Sequence, residues 1–349
     1  RLVWIVSLYE PNGKHWWQSF IDASTGNEVD RLDGVVSCQF PEHENEAHYC
    51  HTSNTSAPMS IAPPPAGGPG AYNVFPFPVE SPNHGNRNIE VGPADPFSSP
   101  FGWHDTNGVD GEEYTITRGN NVYAYDDLAD NNSPGFSPDG GGSLVFDFPY
   151  SGSNSPNQNL SAAITNLFYW NNLMHDVWYH YGFDEQAGNF QVNNYGKGGT
   201  GNDPLLAEAQ NGGLVNTASF VSPPEGQSPR MQMFLWTSNG ATQYGSFDNG
   251  IICHEYGHGI SSRLTGGAAN ANCLQNAEQM GEGWSDWFAL IMTMKPSDQA
   301  ADRRGIGTYV LDESTTGNGL RPAPYSTDFM VNNYTYGASN NVAQISEPH

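Results

Sequence analysis

His254 and His258 stand four residues apart in the run Ile251-Ile252-Cys253-His254-Glu255-Tyr256-Gly257-His258-Gly259. On a helix that spacing puts both imidazoles on one face, where they can meet a single metal ion. Glu255 is rotated about 100° from His254 around the helix axis, close enough to the ion's open position to take a proton from a bound water. Two surface histidines on an ordinary helix would share the spacing, but the apolar residues just before them would bury this turn.

A tetrahedral metal site that keeps one open position needs a third protein ligand. A third histidine in the pattern HExxHxxGxxH is excluded, because Ser261 and Leu264 occupy the corresponding places. The run Gly281-Glu282-Gly283-Trp284-Ser285-Asp286 offers a carboxylate instead. Glu282 can ligate the ion while Asp286, four residues on and on the same helix face, accepts the outer N–H of a ligand histidine and fixes its tautomer. Glu278 lies on this face one turn earlier and is the competing third ligand; the Asp partner at the right spacing favours Glu282.

These groups need two helices, and helical periodicity is present at Gly250 to Leu264 and at Asn276 to Met294. A third helix is expected from Leu160 to Tyr181, with Leu160, Ile164, Leu167, Phe168, Asn171 and His175 along one stripe. His175-Asp176 within it reads as a pair of core-facing polar groups with partners. Strands are expected at Glu113 to Thr117, Ser143 to Phe148, Ala218 to Val221 and Met231 to Trp236. Val3 to Leu8 and Trp16 to Ala23, split by Pro11-Asn12-Gly13, read as a hairpin. From Cys38 to Gly70 the pattern dissolves and ends in a Pro- and Gly-rich run, which makes it a linker between separately folded pieces. Asp126, Asp127, Asp130 and Asp139 could gather as oxygen ligands for Ca²⁺, or form a solvated acidic turn; no EF-hand spacing is present.

The 349 residues suffice for two domains, and 37% hydrophobic residues can build a core. Twelve Lys and Arg against 37 Asp and Glu give a net charge of -25, which excludes a nucleic acid or anionic membrane as partner. No apolar run approaches the roughly 20 residues of a membrane span. Only 14% of residues are charged, with 40 Gly and 25 Pro, so the chain reads as a turn-rich secreted protein. The N-terminal residues lack the regions of a signal peptide, so the chain is expected to begin partway through a precursor. Four cysteines are too few for a disulfide scaffold. Cys38 and Cys50 could close a short loop, and Cys253 reads as a buried thiol.

HEYGHGISSRLTGG followed by NAEQMGEGWSD resembles the fungalysin family of zinc endopeptidases, thermolysin-like enzymes made as precursors. AYNVFPFPVESPNHGNR, SPFGWHDTNG, EYTITRGNN, FYWNNLMHDVWYHYGFDEQAGNFQ, PPEGQSPRMQMF and RPAPYSTDF also read as family segments, so the resemblance covers most of residues 71–349. It implies an α+β, two-lobe zincin with a β-rich lobe at 71–249 and an active-site helix and helical lobe at 250–349, truncated at its C-terminus. Residues 1–37 are cast as the end of an inhibitory propeptide and 38–70 as the linker where processing occurs.

The resemblance further implies His254, His258 and Glu282 as ligands of one catalytic Zn²⁺, Glu255 as general base and Asp286 as partner of a ligand histidine. By weaker matches, Asn216, Ala218 and Phe220 belong to an edge strand on which substrate pairs. Arg321 faces a substrate carbonyl, although a surface charge before Pro322 fits it equally, and His349 steadies the oxyanion. The expected protein is a secreted, monomeric zinc endopeptidase acting on proteins or peptides and held by its own propeptide before processing. The alternative is a catalytically silent secreted protein with a structural metal.

Overall fold

The computed structural model describes residues 2–9, 16–33, 35–37, 70–153, 155–237, 240, 242–274, 280–335 and 337. Strands β1 (Val3–Tyr9), β2 (Trp16–Asp22) and β3 (Glu28–Asp33) form an antiparallel three-stranded sheet. The expected hairpin is its first half. Strand β4 (Val35–Ser37) follows. Then come β5 (Ala71–Val74), β6 (Asn88–Val91), β7 (Val122–Asp126) and β8 (Val145–Phe146), with β5 central to a small sheet in the order β6-β5-β8.

Helix α1 (Pro156–Tyr179) starts where Gln158 reaches back, its Oε1 accepting the Ser155 N–H at 3.0 Å, with Pro156 at the first position. Every residue from Ala162 to Tyr179 is buried, so the helix is a central pillar rather than an amphipathic surface element. The single stripe read from the sequence understated this, because aromatic and amide side chains on the other faces are also enclosed. Asn166 shows how: its Oδ1 accepts the Phe75 N–H at 3.1 Å and its amide donates to Ser246 O and Asn249 Oδ1.

Strands β9 (Leu205–Ala209), β10 (Ala218–Val221) and β11 (Arg230–Met233) complete a mixed five-stranded sheet, ordered β4-β10-β11-β9-β7, that lies on α1. The ladders β11/β9 and β9/β7 are parallel, whereas β10 runs antiparallel to both neighbours. A short ladder of β12 (Leu235–Trp236) and β13 (Gln243–Tyr244) leads to α2 (Asn249–Thr265), and α3 (Gly281–Met292) packs against α2. The result is an α+β fold with one apolar core running through α1, strand β5, the strands from β7 onward, α2 and α3. No helix among the described residues is long and apolar enough to cross a membrane.

Three strand expectations need correction. Ser143 to Phe148 narrows to Val145–Phe146, because Ser143 closes a 3-10 turn and Leu144 takes a left-handed backbone at φ +50. Glu113 to Thr117 is not a strand; it holds one isolated bridge, Ile116 to Asp139, because its backbone groups are divided among different segments, Glu113 N–H donating to His104 O, Thr117 N–H to Pro138 O, and Thr117 O accepting the Ala124 N–H. Met231 to Trp236 is broken at Phe234, whose carbonyl accepts the Gly245 N–H. The expected linker from Cys38 onward, and the possible Cys38–Cys50 bridge, lie outside the described residues. Cys253 is a buried free thiol.

Candidate active site

Helix α2 opens with Asp248 as its cap, the carboxylate accepting the Ile251 N–H at 3.1 Å. Asn249 anchors the same end by donating to Val79 O at 2.7 Å. Both imidazoles then follow on one face, buried, with their Nε2 atoms 3.1 Å apart.

Helix α3 can approach this face because residue 257 is glycine. A Cβ there would meet Phe288 Cδ2 at 2.7 Å and Ser285 Cα at 3.1 Å, so any larger residue would push α3 away. The close approach brings Glu282 in: its Oε2 lies 3.1 Å from His254 Nε2 and its Oε1 3.2 Å from His258 Nε2. The ligand atoms of His254, His258 and Glu282 all lie within 4.8 Å of one another, the one such group among the described residues. Glu278, the competing ligand, and His349 lie outside the described residues.

Asp286 stands one turn beyond Glu282 and accepts from His254 Nδ1 at 2.7 Å. Its carboxylate also accepts Arg321 Nε and Nη2, both at 2.6 Å, and the Tyr325 hydroxyl at 2.6 Å. Arg321 is 3% exposed and so is not the surface charge that its place before Pro322 also allowed. Its Nη2 reaches Glu282 Oε2 at 3.4 Å as well. Tyr325 escaped the sequence reading. It lies 39 residues from Asp286 with no fixed spacing to signal the contact, although it sits inside the family segment RPAPYSTDF.

The electrostatics follow from this crowding. Burial opposes a charge on His254, but the facing carboxylates of Glu282 and Asp286 outweigh it and hold the imidazole up to about 10. Burial likewise opposes ionisation of Glu282 and Asp286. The two imidazoles beside Glu282, and Arg321 with His254 beside Asp286, nevertheless hold both carboxyls below the usual range. Such a cluster is built around positive charge. Two imidazole nitrogens and one carboxylate form the mixed N/O donor set that Zn²⁺ takes at three-ligand sites, so the residues fit that ion. Glu255, beside His254 in the chain, is fully buried with them.

Strand β10 runs past α2. The rings of Phe220 and Phe190 are 6.0 Å apart, and a Cβ at Gly259 would meet Phe220 Cζ at 2.7 Å. Ala218 and Phe220 are buried, so what they can offer a ligand is backbone. Asn216 precedes the strand at φ +60, its Oδ1 accepting the Thr237 N–H at 2.6 Å. The outer edge of β10 is paired with β4 in the register Ser219 to Ser37, Phe220 to Val36 and Val221 to Val35.

The carboxylates of the acidic turn accept backbone N–H groups of their own segment. Asp127 accepts the N–H groups of Asn131 and Asn132, Asp126 those of Leu128 and Phe136, and Asp139 that of Gly141. His175 and Asp176 are fully buried and bonded to each other.

The family model described as fungalysin metallopeptidase (M36) matches residues 71–349. The extracellular metalloproteinase MEP of Leptosphaeria maculans is 41% identical over 284 residues, covering 80% of this chain and 43% of the relative. The extracellular metalloproteinase mep of Aspergillus terreus is 42% identical over 286 residues, with 79% and 43% covered. A relative from Trichophyton verrucosum is 40% identical over 339 residues, covering 95% of this chain and 47% of its own length. That likeness extends into the residues before 71. The chain spans less than half the length of these curated relatives.

Proposed function

The chain belongs to the fungalysin metallopeptidase family (M36), and from that premise we propose that it hydrolyses internal peptide bonds of proteins outside the cell, with one zinc ion held by His254, His258 and Glu282. The observation that carries this reading is the convergence of those three ligands within 4.8 Å, buried beside Glu255. The names of the extracellular relatives support both the activity and the location.

Zinc, when bound, lowers the pKa of a coordinated water toward about 7 and polarises the carbonyl to be attacked. Glu255 takes the proton from that water and delivers it to the leaving amine. Asp286 keeps the proton of His254 on Nδ1, so that Nε2 presents its lone pair to the ion; Arg321 and Tyr325 hold Asp286 in place. Arg321 and His349 donate to the oxyanion, a contribution of roughly 3 kcal/mol for a well-placed donor. The substrate backbone adds as a strand to the edge formed by Asn216, Ala218 and Phe220.

In this reading residues 1–37 are the end of a propeptide. Strand β4 then lies on the edge that substrate would use, which gives the inhibition a physical form. Val36→Pro would remove a backbone donor from that pairing. Hydrolysis of an extended peptide should rise in this variant; an unchanged rate would sink the propeptide assignment.

A purely structural metal calls for a fourth protein ligand, and among the described residues three converge. The deciding experiment is cleavage of an unfolded protein with and without chelator, alongside Glu255→Gln. The variant should bind zinc as the parent does and lose hydrolysis; cleavage that survives either treatment would overturn the proposal.

A further inference from the structure

Arg263 is fully buried near the end of α2, the helix that carries His254 and His258. Its guanidinium touches none of the metal-site residues. Instead Nε donates to Pro223 O at 2.9 Å, Nη1 to Gly188 O at 2.9 Å and to Asp203 Oδ2 at 3.1 Å, and Nη2 to Gln227 O at 3.4 Å. Pro223 and Gln227 both lie in the loop, residues 222–229, that joins β10 to β11. Asp203, also fully buried, grips the middle of that loop by accepting the Gly226 N–H at 3.1 Å. The guanidinium lies 5.1 Å from the ring centre of Phe190, whose neighbour is Phe220 of β10.

Burying an arginine and an aspartate is costly, and such a pair adds little net stability compared with a well-packed apolar one. The planar fork nevertheless holds four acceptors here in one fixed geometry, more than the three rotatable donors of a lysine could. Gly259, one turn before Arg263 on the same face, lets Phe220 come into contact with the helix. One helix therefore holds the metal ligands on one face and, about 140° around its axis, holds β10 by a contact and a clamp.

We propose that Arg263, with Asp203, is a positioning residue that sets the distance and tilt of the β10 edge relative to the zinc ligands, so that a peptide paired on β10 brings its carbonyl to the metal. This rests on the peptidase reading above. A displacement of about 1 Å far from the chemistry can cost up to about 100-fold in rate, and the loss should grow with the length of substrate that pairs on the strand.

The test compares Arg263→Lys with the parent, both zinc-loaded and both carrying Val36→Pro so that the β10 edge is open, on an extended peptide and on a blocked dipeptide that barely reaches the strand. Amide hydrogen exchange over residues 218–223 is measured in parallel. The variant should keep its zinc, exchange faster over β10, and show a ratio of kcat/KM values, extended over short, lowered by about 10- to 100-fold. Equal losses on the two substrates, or unchanged exchange, would overturn the clamp. If Arg263→Lys does not fold, Gly259→Ala displaces Phe220 from the same helix face and is read by the same ratio and exchange. A parent protein without chelator-sensitive cleavage would sink the peptidase reading instead, and the exchange measurement would still decide whether Arg263 holds the strand.

Discussion

Two buried histidine–aspartate pairs sit in this molecule, and their difference separates a reactive site from a core. In α1, His175 Nδ1 meets Asp176 at 2.9 Å and His175 Nε2 meets the Asn189 amide at 3.2 Å. Asp176 also accepts the Asp95 N–H, the Ser99 hydroxyl and the Trp103 indole N–H. Neutral donors thus satisfy the cluster, and its energy is spent on joining α1 to the 95–103 segment. At the α2–α3 contact, His254 Nδ1 meets Asp286 in the same way, but its Nε2 faces another imidazole and a carboxylate. That arrangement calls for a cation, whether a proton or a metal ion. What matters is the partner of the outer nitrogen, rather than the His–Asp contact itself.

The largest effect expected from this contrast is at Glu282. Glu282→Gln should abolish stoichiometric zinc binding and reduce hydrolysis to background, measured by metal analysis and a peptide assay. Next, Asp176→Ala should destabilise the fold by about 3–5 kcal/mol, because it strands buried donors. Urea unfolding reads that loss, while zinc stoichiometry of the folded protein should not change. If Asp176→Ala lost its metal without losing stability, the two clusters would not differ as described.

Tyr325→Phe is a finer probe. It removes one hydrogen bond to Asp286, and loss of such outer partners costs about 10- to 100-fold in metal affinity or activity. Zinc competition against a chelator would show this; an unchanged affinity would remove Tyr325 from the site. The smallest effect concerns pH. In zinc-stripped protein the raised proton affinity of His254 contributes stability that is full below its unfolded value near 6.5 and is lost as pH rises toward about 10. The melting temperature of stripped protein should fall over that window. Zinc binding should strengthen over the same window, because protons no longer compete for the imidazoles; a flat profile in both forms would contradict the coupled cluster.

Much of the site was legible because its signals are local. The i, i+4 spacings of His254 with His258 and of Glu282 with Asp286 fix shared faces as soon as the segments are helical. Strand β10 was read to its ends. The failures came where tertiary demands outweigh pattern. Glu113 to Thr117 has strand-like residues, but its backbone groups are divided among several segments rather than one partner strand. Leu160 to Tyr181 gave a helix, yet a single stripe could not announce burial on every side.

The sequence by itself determined the two site helices and which side chains are candidates for ligands and base, since these depend on residue chemistry and on distances of a few residues, and its family resemblance carried the α+β class. Only the tertiary structure decided the rest. It brought α3 against the glycine face of α2 and buried Arg321 and Tyr325 around Asp286. It also set β4 on the edge of β10 and folded the β10–β11 loop around Arg263. Those contacts join residues tens to nearly two hundred positions apart, and no periodicity records them. They are fixed by which side chains are small enough to permit close approach and by which buried donors and acceptors must be satisfied.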